Sequence, residues 1–405
     1  MNQFSVKVFL AIIFLLLIFR LGLFYLSPLK LQDNQTVHFS ATLLEDPKTV
    51  GNSQSFTLRF GNFWQSIPVK IVTNSDSVYV YGQTMRVIGT VRAKSLNNKQ
   101  AYFTIQNPQI EAKNSGFLPL FGILRGKIIT FCENNFSQPY SGLLVGIIFG
   151  IKSQLTNGIT RSFRITGIAH IVAASGMNVT LVTGFLFTLL GSLLTRRLAV
   201  GASIFGIFLY VVVSGFDASI VRAALMGSVA FSAMLFGRQY SSVYILFLVG
   251  TAMLLWDPIL LTDVGFQLSF LATAGILFVQ PLFSHLSFFS DDLATTLSAQ
   301  VATLPVLLSA FGQYSLLSII ANVLVLWTIP IITIIGGVGI VLGLIFEPLG
   351  KILILFILPL LWYVVTIASF FAQHAVSVQI SSLPMAFVVG YYLLLISMAL
   401  WKKLP

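Results

Sequence analysis

Charged side chains are scarce in this chain of 405 residues, because Asp, Glu, Lys and Arg together make up only 9% of it. Soluble domains carry about 25% of these residues, so the composition excludes an ordinary soluble protein. Hydrophobic residues reach 56%, and the mean hydropathy is +0.92. The composition therefore predicts a polytopic α-helical membrane protein.

Cysteine is nearly absent as well: Cys132 is the only one, and four histidines are scattered along the chain. A single cysteine excludes an intramolecular disulfide, and this set of residues excludes a cysteine-rich zinc site. The sequence also lacks the G-x-x-x-x-G-K-[ST] motif of a nucleotide-binding P-loop. We therefore expect no metal, no cofactor and no catalytic residue, and a protein that is not an enzyme.

Basic residues outnumber acidic ones, which leaves a net charge of +11 and a pI near 9.8. In a membrane protein this excess indicates basic cytoplasmic loops and contact with anionic lipid. A nucleic-acid partner is a second explanation, which charge alone does not establish. The apolar run from Val8 to Leu26 contains Arg20 and lacks a small-residue cleavage site. We interpret residues 1–29 as an uncleaved transmembrane anchor.

Residues 30–113 differ from the rest, because short alternating apolar runs are separated there by turn-forming residues. This pattern predicts an antiparallel sheet or a small barrel, and Gly89 within one run suits the corner of a barrel. We expect a small extracytoplasmic all-β domain with an OB-fold-like architecture. The expected strands are 37–44, 55–60, 67–72, 77–82, 85–93 and 101–106, and the stretch from Tyr81 is expected to open with a turn before the strand that contains Gly89.

The aromatic residues of this domain allow two interpretations. OB-folds often bind single-stranded nucleic acid through aromatic and basic residues, and basic residues exceed acidic ones here by nine to five. In the alternative, which the variety of OB-fold functions favours, the rings fill the barrel and the lysines keep it soluble. The rings in question belong to Phe56, Phe60, Phe63, Trp64, Tyr79, Tyr81, Tyr102 and Phe103.

The remaining sequence predicts an interfacial helix followed by a membrane domain. Residues 114–138 mix apolar positions with Arg125, Lys127 and Glu133, which is typical of an amphipathic helix lying in the membrane interface. In the polytopic domain, residues 139–405, the segment 143–151 is too short to span a bilayer alone. The expected spans are 168–194, 198–214, 218–236, 242–256, 264–283, 293–312, 315–345 (divided at Pro330), 352–373 and 384–401.

Basic residues indicate the orientation of these spans. If 315–345 is one broken span, a set of basic residues falls on one side, which is then cytoplasmic. That set is Lys7, Arg196, Arg197, Arg238, Lys351, Lys402 and Lys403. Lys152, Arg161 and Arg164 do not fit this side. Either 143–151 belongs to a broken spanning element, or these charges face the outer side for a functional reason.

Polar residues within the apolar spans mark the candidate functional site, because polar groups at membrane depth are costly and usually face a protein interior or a wet path. Arg222 is the hardest to explain as structure, since an arginine in a span costs at least ~2.5 kcal/mol. Asp217 precedes it by five residues, which is not the i,i+4 spacing of a helical pair. The candidate residues are Arg164, His170, Ser175, Gly176, Asn178, Asp217, Arg222, Asp263, Gln267, Gln300 and Asn322.

Most of these candidates also have a purely structural explanation. Asp263 stands where a helix begins, and we expect it to be a cap. Gln300 and Asn322 suit hydrogen bonds between helices, worth about 0.6 kcal/mol each on average. His170 suits a satisfied interior histidine as well as a residue that lines a path. Pro305, within a span, is expected to kink its helix.

Four motifs, in order, resemble the ComEC-type competence family of inner-membrane DNA channels. The first, F-x-x-T-G-x-x-H-x-x-A-x-S-G, covers 163–176, and the second, G-x-x-x-S-x-x-R-A-x-x-M, covers 215–226. The third is a D-P pair followed by G-F-Q-L-S-F at 265–270, and the fourth combines T-L-P at 303–305 with a later A-N pair. The family commonly has a second histidine where this chain has Asn178, so a mechanism based on a histidine pair is not implied.

The resemblance implies a channel that passes single-stranded DNA across the inner, cytoplasmic membrane in natural transformation. It is closest to the form without the C-terminal metallo-β-lactamase-like domain, since the sequence has no H-x-H-x-D-H cluster. Arg164 and Arg222 would contact phosphates, and the other candidates would line or brace the path. The implied partners are single-stranded DNA, the lipid bilayer, a separate nuclease and a cytoplasmic DNA-translocating ATPase.

Two other classes of function remain open at this point. A secondary transporter of an ion or small solute would show similar broken helices and polar groups near the middle of the membrane. A membrane scaffold for a separate nuclease or motor is the other alternative. Binding of single-stranded DNA by residues 30–113 would favour the DNA channel over both.

Overall fold

The protein is a polytopic α-helical membrane protein with a small all-β domain near its N-terminus. The computed structural model describes residues 3–27, 29, 31–74, 79–96, 100–172, 176–237, 241–283, 291–311, 313–315, 317–374, 377–379 and 383–401. The chain forms two compact units, one comprising residues 1–130 and 251–258 and the other residues 131–250 and 259–405.

The first unit contains an apolar helix and seven strands. The helix α1 (Gln3–Leu26) covers most of the segment 1–29, whose role as a transmembrane anchor stays a prediction. The strands are β1 (Thr36–Thr42), β2 (Lys48–Val50), β3 (Ser53–Gly61), β4 (Ser66–Asn74), β5 (Thr84–Leu96), β6 (Gln100–Gln106) and β7 (Gln109–Lys113). A second helix, α2 (Leu118–Asn135), follows them.

The strands form a curled sheet of the OB-like kind. The order is β1-β5-β6-β4-β3-β2, with β7 beside β5 and with β4 and β6 parallel. Because only residues 43–47 separate the strands at the two ends of this order, the sheet must curl back towards itself. Gly89 lies in β5 next to the point where pairing passes from β1 to β6, so the glycine expected at a barrel corner is confirmed.

The structure describes residues 79–82 of the predicted run 77–82 and shows no strand there, so that strand is wrong, whereas the turn predicted from Tyr81 is confirmed. Ser77 and Val78 lie outside the described residues. Tyr81 and Gly82 form a turn, in which the Gly82 amide donates to the Leu43 carbonyl at 2.7 Å. Gly82 has a φ of +86°, which a strand residue with a side chain would not adopt. The buried ring of Tyr81 belongs to this turn rather than to a strand.

The helix α2 packs against the barrel through Arg125, and its interfacial location stays a prediction. Arg125 is buried, pairs with Asp46 and places its guanidinium carbon 4.4 Å from the centre of the Tyr81 ring. Burial raises the pKa of Tyr81 to about 12, although the nearby Arg125 charge works against this shift. The exposed side chains of α2 include apolar Leu120 and Ile123. Arg125 therefore faces the barrel, because Asp46 and the aromatic ring compensate its charge there.

The second unit is helical, and most of its helices match the expected spans. They are α3 (Tyr140–Phe149), α4 (Asn157–Ile165), α5 (Gly176–Leu193), α6 (Arg196–Ser214), α7 (Ala218–Leu235), α8 (Ser242–Trp256), α9 (Val264–Phe278), α10 (Gln280–Phe283), α11 (Asp291–Phe311), α12 (Ser318–Leu326), α13 (Thr328–Ile345), α14 (Glu347–Gln373) and α15 (Met385–Trp401). The last residues of α8 belong to the first unit. Short strands β8 (Gln313–Ser315) and β9 (Ser377–Gln379) pair with each other.

Seven helical segments within the described residues are long and apolar enough to cross a membrane. The expected division of 315–345 is confirmed, but its position is wrong. The break lies at Trp327, between α12 and α13, and Pro330 stands in the first turn of α13. Proline is tolerated there because the first amides of a helix have no carbonyl partner within the helix.

Glycines bring two of these helices into close contact. A Cβ atom on Gly350 of α14 would lie 2.6 Å from the Gly339 carbonyl oxygen of α13. Gly336, on another part of α13, approaches Ile148 and Leu144 of α3, whose Cδ1 atoms would lie 2.9 and 3.0 Å from an added Cβ. Small residues let helices approach in this way, and here they seat the short helix α3 in the interior of the unit.

Candidate functional site

The short helix α3 ends inside the second unit, where its last carbonyls need partners. All of Ser141 to Phe149 is buried, and Gly150 ends the helix with a φ of +73°. Asn178 of α5 donates from Nδ2 to the Ile147 carbonyl, and the Tyr210 hydroxyl of α6 donates to the Ile148 carbonyl. Irregular backbone at membrane depth requires such satisfaction by neighbouring groups. The broken-element explanation of 143–151 stays a prediction, with which the burial of α3 agrees.

Asn178 therefore supports the end of α3 rather than lining an open surface. It is fully buried, and its Oδ1 atom has no hydrogen-bond partner among the residues that the structure describes. A buried unsatisfied carbonyl oxygen costs about 1–3 kcal/mol. Tyr210 was not among the sequence candidates, although its hydroxyl in an apolar run signalled the need for a partner.

A tight turn leads from α6 into α7. Gly215 and Phe216 have φ angles of +87° and +58°. Asp217 caps α7 by accepting a hydrogen bond from the Ser219 amide at 3.1 Å, and its carboxylate lies 3.5 Å from Nζ of Lys152. Both charged side chains are partly exposed, so this pair adds at most about 1 kcal/mol. The contact between Lys152 and Asp217 nevertheless places the segment after α3 beside the start of α7.

Arg222 lies one turn further along α7 and is only 6% exposed. Its Nε atom donates to Ser269 Oγ of α9 at 2.9 Å, and Nη1 lies 3.1 Å from the Met226 sulfur. Ser219 Oγ is 2.9 Å from the same Ser269 hydroxyl. The α7 and α9 segments of the second and third motifs thus meet at this hydroxyl.

The charge of Arg222 is not neutralised by the described part of the protein. Within that part, no Asp or Glu oxygen lies within 4.0 Å of its guanidinium. A guanidinium has five N–H donors, and Nη2 finds no acceptor among the described residues. Buried charges are normally paired, so this arginine is suited to an anion that the protein itself does not supply.

Gly176 brings the start of α5 to the same guanidinium. A Cβ atom there would lie 3.1 Å from Arg222 Nη2 and 3.4 Å from the Ala223 Cβ. Glycine therefore permits the close approach of two segments that carry separate motifs. The amino end of a helix carries partial positive charge, which adds to the positive potential around Nη2.

The other candidates are not brought to this cluster by any described contact. Asp263 caps α9, accepting from the Phe266 amide at 2.7 Å, as expected. Gln267 donates to the nearby Leu261 carbonyl at 2.7 Å. His170 is exposed, with Nδ1 3.2 Å from the Gly167 carbonyl of its own turn.

Four further candidates lie elsewhere or outside the described residues. Arg164 is exposed in the last turn of α4, and Gln300 is half-buried in α11. Asn322 is buried in α12, and its Oδ1 atom has no partner among the described residues. Ser175 lies outside the described residues. The sequence therefore grouped more residues into one site than these contacts join.

The aromatic rings of the barrel follow the core-filling interpretation. Phe56 and Tyr81 are buried, and Phe60, Tyr79 and Phe103 pack around the barrel core. Phe63 and Trp64 are exposed, and the side chain of Tyr102 lies outside the part that the structure describes. A separate groove of about 520 Å³ on the barrel is lined by Asn34, Ile88, Gly89, Thr90, Arg92, Gln106, Asn107 and Gln109.

Residues 147–405 match the family described as Competence protein, and this is more than half of the chain, so the chain belongs to that family. It is 29% identical to ComE operon protein 3 of Bacillus subtilis (strain 168) over 203 residues, 50% of this chain and 26% of that protein. It is 30% identical to an uncharacterized protein of Aquifex aeolicus (strain VF5) over 181 residues, 44% of this chain and 42% of that protein. The matches thus cover well under two thirds of either relative. No solved structure matches the chain.

Proposed function

We propose that the protein acts in DNA uptake during natural transformation, as a channel that passes single-stranded DNA across the cytoplasmic membrane. Membership of the competence family supports the general role. The observation that carries the channel proposal is Arg222, a buried cation whose Nη2 atom lacks an acceptor in the described part of the chain. DNA phosphates are anions that such a group would contact.

The surroundings of Arg222 suit a passing phosphate better than a permanently held ion. A single guanidinium nitrogen and a helix amino end attract an anion, but the cluster contains neither a second cation nor a closed ring of donors among the described residues. Conduction requires that binding be weak enough for release. The short helix α3, held at its end by Asn178 and Tyr210, supplies the broken element that a wet path needs.

The all-β domain would face the outside and guide the strand. The groove that contains Arg92 and several side-chain amides is the surface of the barrel that suits this role. The domain's basic excess adds long-range attraction to DNA. A separate nuclease and a cytoplasmic DNA-translocating ATPase complete the proposal as partners.

The test is internalisation of labelled DNA by cells that carry the gene. Wild type, a deletion, Arg222→Ala and the control Lys351→Ala are compared at matched membrane levels. Lys351 is an exposed cation of α14, so its loss changes net charge by the same amount. We expect uptake to be lost in the deletion and in Arg222→Ala and to be retained in the control.

The other outcomes separate the alternatives. Loss only in the deletion would keep the channel and reduce Arg222 to a structural residue. Unchanged uptake in the deletion would refute the DNA-channel proposal and move solute transport to first place.

A further inference from the structure

Among the barrel side chains that the structure describes, Phe63 and Trp64 are the exposed aromatic rings, and they share one turn. This turn, residues 62–65 between β3 and β4, is called here the aromatic loop. Asn62 shapes it: its Oδ1 atom accepts from the Trp64 amide at 3.0 Å and from the Gln65 amide at 2.9 Å. Its own amide donates to the Gln65 carbonyl at 2.8 Å. The loop therefore holds Phe63 and Trp64 at its tip, with side chains 53% and 55% exposed.

Arg20 of the apolar helix α1 ties this loop to the membrane anchor. Its Nη1 atom donates to the Trp64 carbonyl at 2.8 Å and its Nη2 atom to the Phe63 carbonyl at 2.7 Å. The guanidinium carbon lies 5.3 and 5.2 Å from the centres of the two rings. This explains the arginine within the anchor: its charge is satisfied by loop carbonyls and aromatic faces.

The position of Arg20 sets the level of the loop along α1. Arg20 precedes the last residue of the helix, Leu26, by six positions, which is about 9 Å at 1.5 Å per residue. The neighbouring Phe19 and Leu23 are apolar and exposed, as lipid-facing residues of an anchor would be. Gln65, at the other end of the loop, donates to the carbonyl of Ser27, just past the end of α1. The loop therefore lies beside the last two turns of α1, the part of the expected anchor nearest to the membrane boundary.

The carboxyl end of α8 lies at the same place. Trp256, its last residue, is 73% exposed and has its ring 5.5 Å from the Phe63 ring in an edge-to-face arrangement. The Arg20 Nε atom donates to the Leu255 carbonyl at 3.2 Å. The end of a second apolar helix thus joins the aromatic group.

We propose that the aromatic loop is a membrane anchor, with Phe63 and Trp64 inserted at the polar–apolar boundary of the bilayer leaflet next to the barrel. Trp and other amphipathic rings concentrate at this boundary. Nucleic acid is a poorer occupant, because both arginines at the loop are engaged: Arg20 by carbonyls and Arg59 by Asp257. Insertion of the loop fixes one end of the barrel against the lipid surface.

The test uses the full chain in liposomes, with a nitroxide label on a single cysteine. Cys132 is the only cysteine of the chain, so Cys132→Ala provides the background for Phe63→Cys, Trp64→Cys and the control Asn52→Cys. Asn52 is exposed at the turn before β3, roughly 27 Å away at about 3.4 Å per strand residue. The Arg20 bonds go to backbone carbonyls, so a cysteine at either loop position keeps them.

Accessibility to dissolved oxygen, which partitions into lipid, is compared with accessibility to a water-soluble nickel chelate. We expect the labels at 63 and 64 to be accessible to oxygen and shielded from nickel, and the label at 52 to show the reverse. Nickel accessibility at both loop positions equal to that at 52 would overturn the proposal. Shielding of both loop labels from both reagents would also overturn it, since a protein contact would then cover the loop.

Discussion

Arg222 provides the sharpest test of whether the buried cation serves function or structure. Replacing it by methionine removes the charge while keeping a long apolar side chain in the same space. On the insertion scale an arginine at the centre of a span costs about 2.5 kcal/mol, and Arg222, near the start of α7, is expected to cost no more than that. Because no described carboxylate compensates that cost, removing the charge is expected to stabilise the folded state by the same free energy.

The opposing loss is also defined by the contacts. The charged hydrogen bond from Nε to Ser269 Oγ contributes about 1.5–3 kcal/mol. Ser269 is not left without a partner, because its hydroxyl also contacts Ser219 Oγ at 2.9 Å. The two terms nearly cancel, so Arg222→Met is expected to leave the free energy of unfolding nearly unchanged while abolishing DNA uptake.

Thermal unfolding in detergent measures the first part of this prediction. One kcal/mol corresponds to roughly 2–4 °C in Tm for a unit of about 150–250 residues, so we expect a change smaller than roughly 4 °C. Breaking a buried charge pair costs about 3–5 kcal/mol. A fall in Tm of roughly 6 °C or more would therefore refute the reasoning and show that a partner compensates Arg222.

Three further predictions follow from individual contacts. Gly350→Ala should lower Tm, because a methyl 2.6 Å from the Gly339 carbonyl overpacks the helix pair at a cost of about 1–3 kcal/mol. The control is Gly337→Ala, whose added Cβ would have no atom of another segment within 4 Å, so it should be neutral or stabilising by up to about 1 kcal/mol. Equal Tm values for the two variants would contradict this prediction. Tyr210→Phe should cost about 1 kcal/mol by freeing a carbonyl of α3, again measured by thermal unfolding. Finally, the raised pKa of Tyr81, about 12, means that the folded state keeps a proton which the unfolded chain loses near pH 10. Stability from this group should therefore be present below about pH 10 and be lost as pH rises towards 12, and Tyr81→Phe should remove that part of the slope in alkaline denaturation.

Local patterns in the sequence were sufficient for the helices and for most of the barrel. Apolar runs of about 20 residues have few alternatives to a spanning helix, and the observed α5, α6 and α7 lie close to the expected ranges. Caps are equally local, since an aspartate at a helix start bonds amides two or three residues away. Asp263 and Asp217 both do so.

Contacts between distant residues decided the rest. The apolar sequence of 143–151 did not predict that α3 would be buried or that Asn178 and Tyr210 would donate to its last carbonyls. Arg125 and Arg20 both looked like isolated charges, and each found its partners in a segment more than 40 residues away. Sequence alone did not distinguish the aromatic residues of the barrel, yet the fold buries Phe56 and exposes Trp64.

The sequence by itself therefore determined the class of protein, the helical spans, the barrel and the conspicuous Arg222, because hydropathy, alternation and capping act over a few neighbouring residues. Only the tertiary structure decided which polar groups meet, because the free energy of a buried charge or carbonyl depends on the partner that folding brings to it. That is why Arg222, Ser269 and Gly176 form one cluster, whereas Asp263 and His170 make their described hydrogen bonds within their own segments.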